Sequence, residues 1–201
     1  MSDQITLKES YWGISTSAWK VILGFALFRL FLAIILPLTP QEAYYWSWSR
    51  ELALSYFDHP PLASYSIWLT TLIFGQTIFG IKLAAVLWYL GMNIIWALMI
   101  QEMFNNSRQT FWTLLALNAS IVFELYGFVI TPDTPLLFSW TATIYAMWKL
   151  VQTDNPKWWY VAGVFMGLAW LGKYSGIMLV PSVLLFTIVS KNQRKWLLTP
   201  H

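Results

Sequence analysis

Apolar residues run in long blocks along this chain, and polar residues collect in the gaps. The first block spans about Ala18 to Leu38, and others fall at about 61–79, 81–100, 110–130, 134–150, 158–172 and 176–190. Such blocks approach the roughly 20 apolar residues that a helix needs to cross a bilayer. The pattern predicts an all-α, polytopic membrane protein, a single domain over residues 1–201 without internal repeats. Pro61–Phe79 decides the number of spans. If it crosses, about four Lys and Arg residues lie inside against seven outside; if it rests at the surface, about eight lie inside and three outside. The second count obeys the positive-inside rule, and Ser64, Tyr65 and Ser66 suit a helix lying in the interface. About six transmembrane helices follow, with both termini cytoplasmic and interfacial helices in an outer loop at 39–80. The polar residues 1–17 are expected along the cytoplasmic face.

Composition supports this reading. At 58% hydrophobic, 10% charged and a mean hydropathy of +0.55, the chain is too apolar for an ordinary water-soluble domain. Its 14 Trp and 10 Tyr suit rings that settle where hydrocarbon meets headgroup. The net charge of +3 is spread over the ends of apolar blocks, so it reads as topology and not as a nucleic-acid patch. Without cysteine, disulfides, thiolate zinc sites and cysteine nucleophiles are excluded. No signal-peptide pattern precedes the first block, which is expected to stay as an anchor in the inner membrane.

Few groups remain for chemistry. Arg29 falls inside the first span, where a lone charge is costly; Glu124, inside a later span, is the expected ion-pair partner. Thr39-Pro-Gln-Glu42 matches a capping box, so Glu42 reads equally as a cap and as an oriented carboxylate. The helix after it puts Tyr45, Trp48 and Leu52 on one face, which suits a helix lying flat on lipid. Asp58-His59-Pro-Pro is an extended turn because each proline forces its predecessor out of the α region; Asp58 either caps the next helix or, with His59, faces a cleft. Asp133 opens a helix, where the macrodipole favours a carboxylate. Lys173, between Gly172 and Gly176, either snorkels or meets a phosphate. The six-span topology brings Glu42, Asp58, His59, Asp133 and Lys173 to the same outer face. No P-loop or dinucleotide fingerprint is present, so no nucleotide cofactor is expected. An acid-rich site with one lysine at a lipid interface suits transfer of a group from a lipid-linked phosphate: a carboxylate takes the proton of the attacking hydroxyl, and a cation steadies the departing phosphate.

Four stretches, Glu42-Ala-Tyr-Tyr-Trp-x-Trp, Tyr56-Phe-Asp-His-Pro-Pro-Leu62, Ile130-Thr-Pro-Asp-Thr-Pro-Leu136 and Gly167-Leu-Ala-Trp-Leu-Gly-Lys-Tyr174, together resemble the GT-C class of polyprenyl-phosphate-sugar-dependent glycosyltransferases. Their order and spacing are most like the bacterial branch akin to protein O-mannosyltransferases, the lipid A aminoarabinose transferase and the Rgt-type galacturonosyltransferases. The resemblance covers about residues 20–190. It implies a polyprenyl-phosphate-linked sugar donor, an acceptor hydroxyl on lipid, glycan or protein, and a site on the periplasmic face. By motif position it implies Glu42 as the catalytic carboxylate or its immediate neighbour, Asp58, His59 and Tyr45 lining the substrate cavity, Asp133 positioning substrate and Lys173 near the donor phosphate. A divalent metal beside that phosphate is left open. Many relatives carry Asp-Glu where this chain has Gln41-Glu42, and relatives are commonly longer, so the chain reads as the N-terminal part of such an enzyme. A non-catalytic membrane fragment and a transporter are the rival readings; the second should show two related halves with broken helices, which are not seen.

Overall fold

The computed structural model describes residues 10–197. The polar stretch 1–9 and the last residues, 198–201, both expected at the cytoplasmic face, lie outside the described residues. The fold is almost entirely helical, with one small addition. Ser10–Tyr11 (β1) and Ile14–Ser15 (β2) pair antiparallel across Trp12-Gly13. Both turn residues have positive φ, 55° and 79°, as a two-residue hairpin turn requires. This hairpin is a correction to the purely helical expectation: four residues of pairing are too short to leave a period-2 signal.

Ser15 then caps α1 (Thr16–Ile35), its hydroxyl accepting from the Ala18 amide. The remaining helices are α2 (Pro40–Ser49), α3 (Leu62–Phe74), α4 (Ile78–Phe104), α5 (Ser107–Asn118), α6 (Ile121–Tyr126), α7 (Asp133–Thr153), α8 (Lys157–Gly172) and α9 (Leu179–Val189), with 3-10 turns at Tyr174–Met178 and Arg194–Leu197. Two of them, α1 with 20 residues and α4 with 27, are long and apolar enough to cross a membrane. α3 has 13 residues. At 1.5 Å per residue it reaches only about 20 Å, short of a hydrocarbon core of about 30 Å. The apolar block 110–130 is split between α5 and α6 at Ala119-Ser120.

α4 is the central helix and packs against α1, α3, α5 and α7, while α8 lies along α7. Successive long elements alternate in direction. Ala97 near the end of α4 packs on Ala18 and Ile22 at the start of α1, whereas Leu83 and Val86 pack on Ala33 near the end of α1. As a result the end of α1, the start of α4, the α6–α7 link and the end of α8 gather at one end of the molecule. Glu102 with Lys149, and Asp154 with Lys195, lie at the other.

Midway between the ends, Arg29 is 2% exposed and its Nη2 donates at 2.8 Å to both Glu124 Oε2 and Asn118 Oδ1. Asn118 Nδ2 donates onward to Asn93 Oδ1 at 2.6 Å. The Tyr89 ring lies 5.0 Å from the guanidinium. A buried charge needs such partners to be tolerated. This one stitches α1, α4, α5 and α6 together.

Candidate active site

The site is built at the gathered end, beginning with α2. Thr39 and Glu42 form a full capping box: the Thr39 hydroxyl accepts from the Glu42 amide at 3.3 Å, and Glu42 Oε2 accepts from the Thr39 amide at 2.9 Å. The buried face of α2 carries Glu42, Tyr45 and Ser49, which rest against α3 and α4. The helix ends at Ser49, so Leu52 lies beyond it and the amphipathic face expected through Leu52 is shorter. Glu42 has no exposed surface, and Lys82 Nζ on α4 sits 2.9 and 2.7 Å from its two oxygens.

Residues 50–60 form a pinned loop. The Tyr56 hydroxyl donates to the carbonyls of Trp48 and Glu51 at 2.9 and 3.1 Å, and its ring stacks on Trp48 with a 5° interplanar angle. The Tyr65 hydroxyl holds the Ala53 carbonyl at 2.9 Å. This pinning presents Asp58, which is exposed, and the Tyr44 hydroxyl donates to its Oδ1 at 3.1 Å. Asp58 does not cap α3, whose N-cap is Pro61 without a side-chain bond. The His59 ring is 5.9 Å from that of Tyr45, and its Nδ1 is buried without a partner among the described residues.

The other half comes from α7 and α8. Asp133 sits in the first turn of α7, and Lys173 Nζ reaches its two oxygens at 2.8 and 2.9 Å. Both side chains are about a third exposed, at 32% and 29%. Gly172 makes this approach possible, since a Cβ there would come within 3.0 Å of the Leu136 amide nitrogen. The hydroxyls of Ser55 and Tyr174 lie 3.2 Å apart and close the loop onto the end of α8. Burial first, then the charges of Asp58 and, more weakly, Tyr44 and Asp133, push the Tyr45 phenol up to about 12. Tyr45 thus feels the carboxylates of both halves. Burial, followed by the hydrogen bond to Asp58, also raises Tyr44.

The structure therefore brings Tyr45, Asp58, His59, Asp133 and Lys173 to one end, with Glu42 buried directly beneath them. Arg29 and Glu124 pair elsewhere, within the helices. Lys82 was not singled out from the sequence: it opens an apolar block, where a basic residue reads as a topology signal. No three His, Cys, Asp or Glu side chains converge to hold a metal among the described residues. An apolar groove of about 560 Å3, lined by residues that include Trp140, Met147, Leu179 and Phe186, runs between α7 and α9.

Comparison with known proteins bears on what this end does. Over 168 residues the chain is 28% identical to the lipid A galacturonosyltransferase RgtD of Rhizobium johnstonii, a match covering 82% of this chain and 35% of that protein. Over 170 residues it is 26% identical to the undecaprenyl phosphate-alpha-4-amino-4-deoxy-L-arabinose arabinosyl transferase of Pseudomonas savastanoi pv. phaseolicola, covering 71% of this chain and 31% of that one. The chain thus spans about a third of the length of these curated relatives. No solved structure matches it. Residues 58–201, which include His59, Asp133 and Lys173, match the model of the family described as dolichyl-phosphate-mannose-protein mannosyltransferase. With that match covering well over half of its length, the chain belongs to this glycosyltransferase family.

Proposed function

We propose that the protein transfers a sugar from a polyprenyl-phosphate carrier to an acceptor hydroxyl at the outer face of the cytoplasmic membrane. Six passes carry it: α1, α4, the α5–α6 segment, α7, α8 and the segment from Tyr174 to Val189, with α2 and α3 in the outer interface. The observation that carries this reading is the Asp133–Lys173 pair, about a third exposed, gathered at the same end as Tyr44 and Asp58, with Tyr45 under the charges of both carboxylates. Lys173 offers its open side to the donor phosphate, and Asp133 holds the ammonium in place. The acceptor oxygen attacks the anomeric carbon, its proton passes to the Asp58 carboxylate, and the bond to phosphate breaks with its electron pair leaving on the polyprenyl phosphate. Lys173 stabilises that developing charge. In this reading the buried Glu42 works by position, while the exposed Asp58 takes the proton. The groove between α7 and α9 is a path for the prenyl chain.

Support comes from family membership and from the relatives, whose names describe transfer of galacturonosyl and aminoarabinosyl groups in lipid A and undecaprenyl phosphate chemistry. The test is transfer from a labelled undecaprenyl-phosphate sugar by the full chain in lipid nanodiscs. The parent should move label to a lipid A acceptor, and Lys173→Met should lose at least about 100-fold in kcat/KM, the scale of removing one preorganised stabiliser of leaving charge. Full activity in Lys173→Met removes this lysine from the mechanism; no transfer with any lipid-linked donor refutes the function.

A further inference from the structure

In the transfer reading above, the buried pair of Glu42 and Lys82 takes no part in proton or phosphate chemistry, yet it is expensive to keep. Two charges without exposed surface lose their hydration, and a well-packed apolar pair is often as stable or more so. Capping does not account for it. The bonds to Thr39 need only Glu42, and Lys82 takes no part in them. What Lys82 adds is a third chain segment. Its ammonium spans both Glu42 oxygens, and Glu42 Oε1 also accepts from the Ile130 amide at 3.4 Å. Lys82 Nζ further lies 5.7 Å from the Phe128 ring centroid. One carboxylate therefore ties α2, the start of α4 and the α6–α7 link. Asp133 stands three residues beyond Ile130, and Tyr44 and Tyr45 stand two and three residues beyond Glu42.

We propose that Lys82 is a positioning residue: with Glu42 it forms a buried clasp that sets the Asp133–Lys173 half of the site against the Tyr44–Asp58 half. This rests on the transfer reading above. Nothing in it asks Glu42 to exchange a proton. A displacement of about 1 Å between two such halves is enough to cost on the order of 100-fold in rate.

The test uses the full chain in nanodiscs and four variants. Glu42→Gln and Lys82→Met each strand a buried charge, so each should lose about 100-fold in transfer per folded molecule. The double variant strands no charge; its one amide oxygen can still accept from the Ile130 amide while its NH2 donates to the Thr39 hydroxyl, so it should recover to within about tenfold of the parent. Lys82→Arg, which preserves the pairing, should do the same. Hydrogen exchange across residues 128–133 should quicken in each single variant and return towards the parent in the double. A double variant as inactive as Glu42→Gln alone would overturn the clasp and give Glu42 the proton. Single variants with unchanged rates would overturn it as well. If the parent transfers no sugar, the transfer reading fails by itself, and exchange across 128–133 still decides the clasp: quickened in the single variants it stands, unchanged it falls.

Discussion

Tyr45 reports the electrostatics of the site most directly, because its phenol is buried beneath two carboxylates from different parts of the chain. Its raised value gives a pH dependence whose sign can be worked out. The neutral phenol is favoured in the folded protein, so its contribution to stability is complete below about pH 10, the ordinary tyrosine value, and is lost progressively as the pH rises towards about 12. Thermal midpoints measured between pH 9 and 12 should fall more steeply in the parent than in Tyr45→Phe; parallel slopes would remove Tyr45 from the buried cluster. Among single residues, the sequence made the acids and Lys173 legible because each interrupts an apolar or proline-rich stretch. It left Lys82 unread. A lysine at the head of a hydrophobic block is ordinarily an interfacial charge, and only the three-dimensional approach of α2 makes it a buried partner.

At the level of elements, long apolar blocks gave helix existence well and helix ends poorly. α2 stops at Ser49 because Arg50 turns the chain into the loop pinned by Tyr56, a tertiary effect that periodicity does not carry. The break between α5 and α6 was likewise hidden inside one apolar block. It is stabilised by Arg29 reaching across to Glu124, and that reach depends on Gly127. A Cβ at position 127 would meet Arg29 at Cδ and Cζ, 2.8 and 2.9 Å away, and would collide with Nε. Gly127→Ala should therefore push the guanidinium off its partners and lower stability by about 3–5 kcal/mol, the range for breaking a buried ion pair. Chemical denaturation in mixed micelles would read it. A midpoint equal to the parent's would mean that Arg29 has room to relax without losing Glu124.

Over the whole molecule, residues spread from Tyr44 to Tyr174 reach one end because the long elements alternate in direction and α3 is too short to reverse that order. The hydrophobic blocks and the count of basic residues made this arrangement legible in advance, since a reversal at α3 would have sent Asp133 and Lys173 to the far side. Apart from the Arg29–Glu124 pair, contacts between side chains could not be read that way. Which acid lies open and which is clasped depends on packing between segments about 40 to 90 residues apart. The charge pattern fits the same orientation: Lys149 and Lys195 lie at the end away from the site, where a cytoplasmic face would attract them.

The central claim is that this gathered end faces out of the cytoplasm. Since the chain has no cysteine, single cysteines placed at Gln41, Ser175 and Asn155 can be labelled in intact cells with a membrane-impermeant maleimide after outer-membrane permeabilisation. The account predicts labelling at positions 41 and 175 and protection at 155 until the inner membrane is breached. Labelling of 155 with protection of 41 and 175, or labelling of 41 without 175, would contradict it.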